Sequence, residues 1–330
     1  MQFDLLTKLG DTILLAFITS IRHPHNSNSY EEISRLFERT LRSVCNQIDP
    51  HFRIIVVCNK LPLVTFKSDH VEYVIVDFPP PSLMSGPQTG LEAVRRDKGT
   101  KYLVGLLAAE KFQPEYVMFF DADDLVHQDL ARFCNERPGT NGWFISSGYG
   151  HIEGSLLYQK LSSFYKHCGT CNIINFKLLK ANIPQHLHKY SKLDDIVRSV
   201  DAHFLSRILG DHHFTVNHFI NKGTPLHALP FPGAIYTLGT GENHSGIDRF
   251  INTHFVSSHL MPHFVSRRLN DAFGMGLDFS IRRRIKTYFF EFPIYFFSFT
   301  TFLLAAILRS LKRRAYRHFS NLKSKLLSNL

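Results

Sequence analysis

The stretch Tyr116-Val-Met-Phe-Phe-Asp-Ala-Asp-Asp124 decides how the rest of the chain is read. Five consecutive apolar residues have the length and character of a strand buried on both faces. That strand runs directly into three carboxylates within four positions. In an open α/β sheet, ligands bind beyond the carboxyl ends of the strands, so this pattern puts Asp121 and Asp123 at a ligand edge. Asp-x-Asp suits a divalent cation. One or two carboxylates can hold Mg²⁺ or Mn²⁺ while the ion bridges the oxygens of a diphosphate. The alternative is ordinary: paired aspartates often do no more than cap loops and helices.

Upstream, the pattern alternates strand with helix. Thr12–Thr19 is a continuous apolar run ended by the polar loop Ser20–Ser29. Tyr30–Gln47 carries Ile33, Leu36, Phe37, Leu41 and Val44 at helical spacing, with Ser29 as a start and Glu31 and Glu32 at the positive end of the dipole. Phe52–Cys58 and Val71–Phe78 are two more strands, the latter stopped by Pro79, Pro80 and Pro81. Thr100–Lys111 reads as a helix. Strands apolar on both faces, alternating with helices, predict an α/β fold, a Rossmann-type, mostly parallel sheet with helices on both faces. The region from Asn141 to Gly246 is rich in loop-like stretches, with a helix expected over Ser199–Leu209 and a further strand over Phe231–Leu238.

The 330 residues carry a formal charge of +10, much of it near the C-terminus in Arg282, Arg283, Arg284, Lys286, Lys312, Arg313, Arg314, Arg317, Lys323 and Lys325. A local basic excess points to a polyanion or is a solvated tail. Phe292–Leu308 contains no charged residue and lies between basic clusters. The sequence is therefore expected to divide into a domain that carries the Asp cluster, residues 1–286, and an apolar and basic helical extension, residues 287–330. The extension predicts contact with an anionic membrane surface, lying in it or, less readily at this length, spanning it. No signal-peptide pattern opens the chain, so the expected location is cytoplasmic, peripheral on the inner face of the cell membrane. The five cysteines are scattered, and Cys168-Gly-Thr-Cys171 lacks a second pair for zinc, which predicts reduced thiols.

Tyr116–Asp124 resembles the strand-then-DADD signature of GT-A glycosyltransferases, a resemblance covering roughly Asp11–Gly246. Gly169-Thr-Cys-Asn-Ile-Ile-Asn175 is similar to the segment that lines donor sugar and acceptor in inverting members. Val200-Asp-Ala-His-Phe-Leu-Ser-Arg207 resembles the acidic helix motif, with Val200 where the family often has Glu. The resemblance implies Asp201 as the catalytic base that deprotonates the acceptor hydroxyl. Asp201 as a helix cap, or paired with Arg207, is the alternative; Asp194 and Asp195 are rival bases. It also implies a late histidine as a further metal ligand, for which His244 in Gly241-Glu-Asn-His-Ser-Gly246 is the candidate among nineteen histidines. Imidazole suits Mn²⁺ better than Mg²⁺. Thr19, Ser20 and Arg22 follow the first strand, where the fold contacts the nucleotide; Asn59 stands where a base-binding Asp is frequent; Asn172 belongs to the donor segment. Lys98 and Lys101 either face the diphosphate or are surface lysines. Trp143, the one tryptophan, stacks on a sugar or sits in the core.

The expected function is a metal-dependent glycosyltransferase. It would move a sugar from a nucleoside-diphosphate donor to a carbohydrate or lipid-linked hydroxyl acceptor, with inversion, in cell-surface polysaccharide or glycolipid synthesis. No nucleic-acid partner is expected. A nucleotidyl- or phosphoryl-transferring enzyme with the same Asp-metal logic is the alternative, although no G-x-x-x-x-G-K-[ST] occurs and Ser20–Ser29 has no glycine. A non-enzymatic membrane-binding protein would leave the ordered Asp, Asn and acidic-helix elements unexplained.

Overall fold

The computed structural model describes residues 15–86, 89–242 and 263–291. Its strands are β1 (Leu15–Ser20), β2 (Phe52–Cys58), β3 (Val71–Ile75), β4 (Tyr116–Phe120), β5 (Leu125–Val126), β6 (Gly142–Phe144), β7 (Ser147–Ile152), β8 (Leu157–Ser162), β9 (Asn172–Asn175), β10 (His227–Ala228), β11 (Ala234–Leu238) and β12 (His263–Phe264). Its helices are α1 (Tyr30–Val44), α2 (Leu91–Ala109), α3 (Leu130–Asn135), α4 (Phe176–Lys180), α5 (Leu193–Ser199), α6 (Thr215–Asn221), α7 (Arg267–Ala272) and α8 (Ile281–Lys286).

The main sheet has the order β10-β6-β9-β4-β1-β2-β3. Strands β3, β2, β1 and β4 are mutually parallel, and β9 runs antiparallel between β4 and β6. The expected α/β class and layout are observed. Side-chain alternation sorts the apolar runs onto two faces. Leu15, Phe17, Ile54, Val56, Met118 and Phe120 pack toward α1 and α3. Ala16, Ile18, Ile55, Val57, Val117 and Phe119 pack toward α2 and the helical turns between α4 and α6. Both faces are covered, which is why these strands read as unbroken apolar runs rather than as alternating ones.

A second sheet has the order β12-β8-β7-β11-β5; β11 falls within the strand expected over Phe231–Leu238, and the other four strands lie beyond the expected elements. Strands β7 and β8 come from the stretch that reads as loops, where Gly148, Gly150 and His151 interrupt any apolar pattern in β7. Gly148 is required by packing: a Cβ there would come 2.3 Å from the Phe164 ring and 2.7 Å from the Ala234 carbonyl.

Helix α2 begins at Leu91, nine residues before the expected Thr100. Gly99 disguises its first half, yet that glycine has a packing role. A Cβ on Gly99 would stand 1.9 Å from the Leu205 carbonyl oxygen, and one on Gly210 would stand 2.1 Å from that of Arg95. The two glycines let α2 cross the wide helical turn Phe204–Leu209 with backbone against backbone. The helix expected over Ser199–Leu209 is accordingly shorter. The run Ile281–Lys286 continues as a helical turn through Thr287–Glu291, across the expected domain boundary. No helix among the described residues is long and apolar enough to cross a membrane. Residues 292–308, on which the membrane expectation rests, lie outside the described residues.

Gly99→Ala and Gly210→Ala should each lower stability by about 1–3 kcal/mol, the usual cost of overpacking against atoms that cannot give way. Urea unfolding reads this as a lower midpoint with an unchanged slope. Unmoved midpoints for both variants would mean that the crossing is looser than described.

Candidate functional site

The three carboxylates after β4 divide into two roles. The Asp121 amide donates to Thr170 Oγ1 at 2.9 Å, and the Asp124 amide returns to the Asp121 carbonyl at 3.2 Å, closing a tight turn. Asp124 then points inward and is fully buried. It accepts from Thr170 Oγ1, from Cys168 Sγ at 2.9 Å and from the Thr237 amide at 3.0 Å. Burial, and then the neighbouring Asp123 and Asp121, raise its pKa well above the ordinary carboxylate range. Asp124 is thus an anchor, and it leaves Asp121 and Asp123 facing a cleft of about 250 Å³.

That cleft lies at the carboxyl ends of β1 and β4. Ser20, Arg22, Asp97, Lys98 and Glu242 line it together with Asp121 and Asp123. Lys98, from α2, forms an ion pair with Asp121, whose carboxylate also accepts from Tyr102 Oη at 3.4 Å. Burial alone would raise Asp121, but the Lys98 charge and hydrogen bond hold it below its ordinary value. Gly169 closes over this pair; a Cβ there would come 2.5 Å from Asp121 Oδ2 and 2.9 Å from Lys98 Nζ. Arg22 is 3.2 Å from Glu242, and Asp97 is 2.8 Å from Lys101. Asp123 differs from these acids. Its carboxylate makes no ion pair among the described residues, and burial followed by repulsion from Asp121 raises it to about 6. Three of the four carboxylates in the wall are matched to cations; Asp123 is the surplus negative charge.

This donor set fits a hard divalent cation. Two carboxylates converge from one turn, one of them electrostatically unsatisfied, in a cleft open to further oxygen ligands from a substrate or water. Asp121 and Asp123 would hold the ion.

The other sequence candidates separate. Ser20 and Arg22 line the cleft with the Asp pair. Thr19 is fully buried within β1. Asn59 ties the end of β2 to the chain after β3, donating to the carbonyls of Val76 at 3.1 Å and Phe78 at 2.8 Å. Lys101 is buried and donates to Asp97 and, at 3.1 Å, to the Ile21 carbonyl, clamping α2 onto the loop after β1. Asn172 is buried on β9, beside a small cavity shared with Lys98, Tyr102 and His212. Asp201 is exposed and accepts the Phe204 amide at 2.8 Å, so it caps the wide turn; Arg207 pairs with Glu92 instead. Asp194 and Asp195 occupy the first turn of α5. Trp143 packs in the core against Tyr116 and Phe133. His244 lies outside the described residues.

Two groups escaped the sequence reading. Glu242, 7% exposed, accepts the amides of Asn28 and Ser29, both at 2.9 Å, besides pairing with Arg22. It therefore fastens the loop after β1 to the loop after β11. His212 follows the Gly210 crossing. Asp211 pairs with Arg95 of α2 and accepts from His213, which sets His212 beside Lys98 and Asn172. The His212 Nε2 is buried with no hydrogen-bond partner, and burial, then His213 and Lys98, lower the imidazole to about 3. The run Gly210-Asp-His-His213 was the available signal, diluted by seventeen other histidines.

No protein-family model matches the chain, and no curated protein matches it. Among solved structures, it is similar to residues 1–349 of Staphylococcus aureus TarS. The TM-score is 0.38 at 16% identity, over 68% of this chain and 60% of that one. The chain thus spans about three-fifths of the TarS structure it matches. It is also similar to a protein from Desulfovibrio desulfuricans G20 whose assignment as a nucleotide-diphospho-sugar transferase is provisional. There the TM-score is 0.28 at 10% identity, over 68% of this chain and 80% of that one.

Glu242→Ala leaves the Asn28 and Ser29 amides and Arg22 without their acceptor and should cost about 1–3 kcal/mol. Glu242→Gln keeps an acceptor for the amides and should cost less. Chemical denaturation ranks the two variants, and equal stabilities would remove Glu242 from the role of fastener.

Proposed function

We propose that this protein is a glycosyltransferase that uses a nucleoside-diphosphate sugar, with the diphosphate held in the cleft at Asp121 and Asp123. The observation that carries this reading is the half-buried Asp123, without an ion-pair partner among the described residues, beside the Lys98–Asp121 pair at the end of β4. A site with surplus negative charge and two cations in its walls suits a divalent ion together with an anionic ligand.

A bound Mg²⁺ or Mn²⁺ would supply charge neutralisation for the diphosphate, easing its departure. The chain's own residues do the rest. Arg22 and Lys98 are the cations within the cleft wall. Each can exchange a carboxylate partner for a phosphate oxygen; Arg22 can do so in a forked arrangement. Ser20 offers a hydroxyl at the end of β1 to the same ligand. In the transfer itself, the acceptor oxygen bonds to the anomeric carbon as the bond to the diphosphate breaks, and the acceptor proton passes to a base. Single displacement from the opposite face inverts the configuration. The acceptor is a hydroxyl on a carbohydrate or on a lipid-linked glycan, in line with cell-surface polysaccharide or glycolipid synthesis.

Two residues compete for the base. Asp201 is the one implied by family resemblance, but its Oδ1 is engaged by the Phe204 amide. His212 is neutral and unpartnered at Nε2 and stands beside Lys98. Burial, His213 and Lys98 keep its imidazole neutral at pH 7 but make it a weak base, which counts against it as Asp201's engaged carboxylate counts against Asp201.

Asp123→Ala should abolish transfer and remove the metal-dependent part of nucleotide binding while the fold persists. A thermal-shift screen of nucleotide sugars with Mn²⁺ or Mg²⁺, followed by a radiolabelled transfer assay with and without EDTA, reads both. Full activity in EDTA, or in the variant, would sink the metal assignment.

Replacing the true base by an isosteric amide should lower kcat by roughly 10²–10⁴-fold, with donor affinity little changed. Asp201→Asn and His212→Asn, compared under saturating donor, identify it. Near-wild-type kcat in both variants would place the base elsewhere. A product that keeps the donor's anomeric configuration would exclude single displacement.

A further inference from the structure

The helical run from Ile281 to Glu291 carries an apolar stripe that faces water. Ile281, Ile285 and Phe289 recur every fourth residue and are 77%, 50% and 65% exposed. Residues four apart share one side of a helix, so the three form a contiguous patch. Large apolar side chains gathered in this way mark a contact surface. The flanking chemistry identifies the contact. Between Phe279 and Phe290 stand Arg282, Arg283, Arg284 and Lys286, without a single acid. Arg283 pairs with Glu291 at 3.2 Å. Arg282, Arg284 and Lys286 make no ion pair among the described residues; the Arg284 guanidinium rests 5.9 Å from the centre of the Phe279 ring. Beside the stripe runs a groove of about 550 Å³ whose walls include Leu156, Val265, Ile285 and Phe289, with Arg267 and Arg284 among them.

We propose that this face docks on an anionic bilayer surface. Ile281, Ile285 and Phe289 enter the boundary between headgroups and acyl chains, and Arg282, Arg284 and Lys286 meet the lipid phosphates. Apolar burial and cation attraction then act together, which is how interfacial helices bind. A second copy of the chain fits less well. Two identical faces brought together about a two-fold axis would oppose cations to cations at every turn. The sequence that follows has the same chemistry: seventeen residues without charge from Phe292 to Leu308, then seven lysines and arginines and no acid to Leu330. The inference extends the expected membrane contact from that segment to a surface within the described structure. It does not depend on sugar transfer, so its failure and that of the proposed activity are separable.

The test is co-sedimentation of the full-length protein with vesicles of phosphatidylcholine alone, or of equal parts phosphatidylcholine and phosphatidylglycerol. The wild type should bind the anionic vesicles only, and less as salt rises. Arg282→Glu with Lys286→Glu should weaken binding about tenfold or more at low salt. Ile285→Glu with Phe289→Glu should weaken it about tenfold or more at any salt. Thermal melting checks that each variant folds. Hydrogen exchange of the wild type on the same vesicles should show added protection over 281–289, which keeps the test decisive if a variant misfolds. The proposal is overturned if the wild type ignores anionic vesicles or binds neutral ones equally. It is also overturned if both variants bind like the wild type, if 281–289 gain no protection, or if the variants instead dissociate a dimer.

Discussion

A buried carboxylate organises this protein. Placing Asp124 in the interior costs several kcal/mol unless its oxygens are satisfied. Here they receive a hydroxyl, a thiol and a main-chain amide from two separate parts of the chain. Thr170 and Cys168 come from the loop before β9 in the main sheet, and Thr237 comes from β11 in the second sheet. The clasp therefore joins the two sheets at the point where β4 ends. It also fixes the direction of the turn, so that Asp121 and Asp123 are presented to the cleft without relying on any ligand to hold them there.

Helix α2 is the other half of the arrangement. Its successive turns carry Arg95, Lys98 and Lys101, and each fastens a different neighbour: Asp211, Asp121 and Asp97 with the Ile21 carbonyl. This density of charge is tolerated because each of these three cations has a carboxylate within reach. The close crossing at Gly99 and Gly210 brings those partners near enough. The position of Lys98 in the cleft wall is thus set by backbone packing at the adjacent Gly99, which is the kind of support that a preorganised site requires.

The sequence revealed what buried strands write plainly. Phe52–Cys58 and Tyr116–Phe120 were legible to the residue, because β-branched and aromatic runs covered on both faces have no competing reading. The Asp pair was legible for the same reason, as the strand before it gave it an address. Helix α2 was half hidden, since Gly99 looks like a helix breaker unless one knows that another backbone lies against it. Of the second sheet only β11 was legible; β5 and β12 are two residues long, and Gly148 and Gly150 break the period of β7. The site showed a similar division. Lys101 and Asn59 have the right chemistry, yet they are spent on the Ile21, Val76 and Phe78 carbonyls, and only tertiary structure reveals that. Glu242 is a single polar residue in a loop, and the one signal for His212, the run Gly210-Asp-His-His213, does not say which histidine turns inward.

Cys168 has a further consequence. Its thiol donates to Asp124, and burial, with the adjacent carboxylates, pushes its pKa well above the normal thiol value. Cys171 beside it is raised in the same way. At neutral pH both remain S–H, the form that attacks neither disulfides nor alkylating reagents. The folded site is therefore chemically silent toward iodoacetamide, and any labelling at these positions must pass through a state in which the clasp has opened. The rate of that labelling is a clock for the local stability of the turn that carries Asp121 and Asp123, readable without knowing what the protein binds.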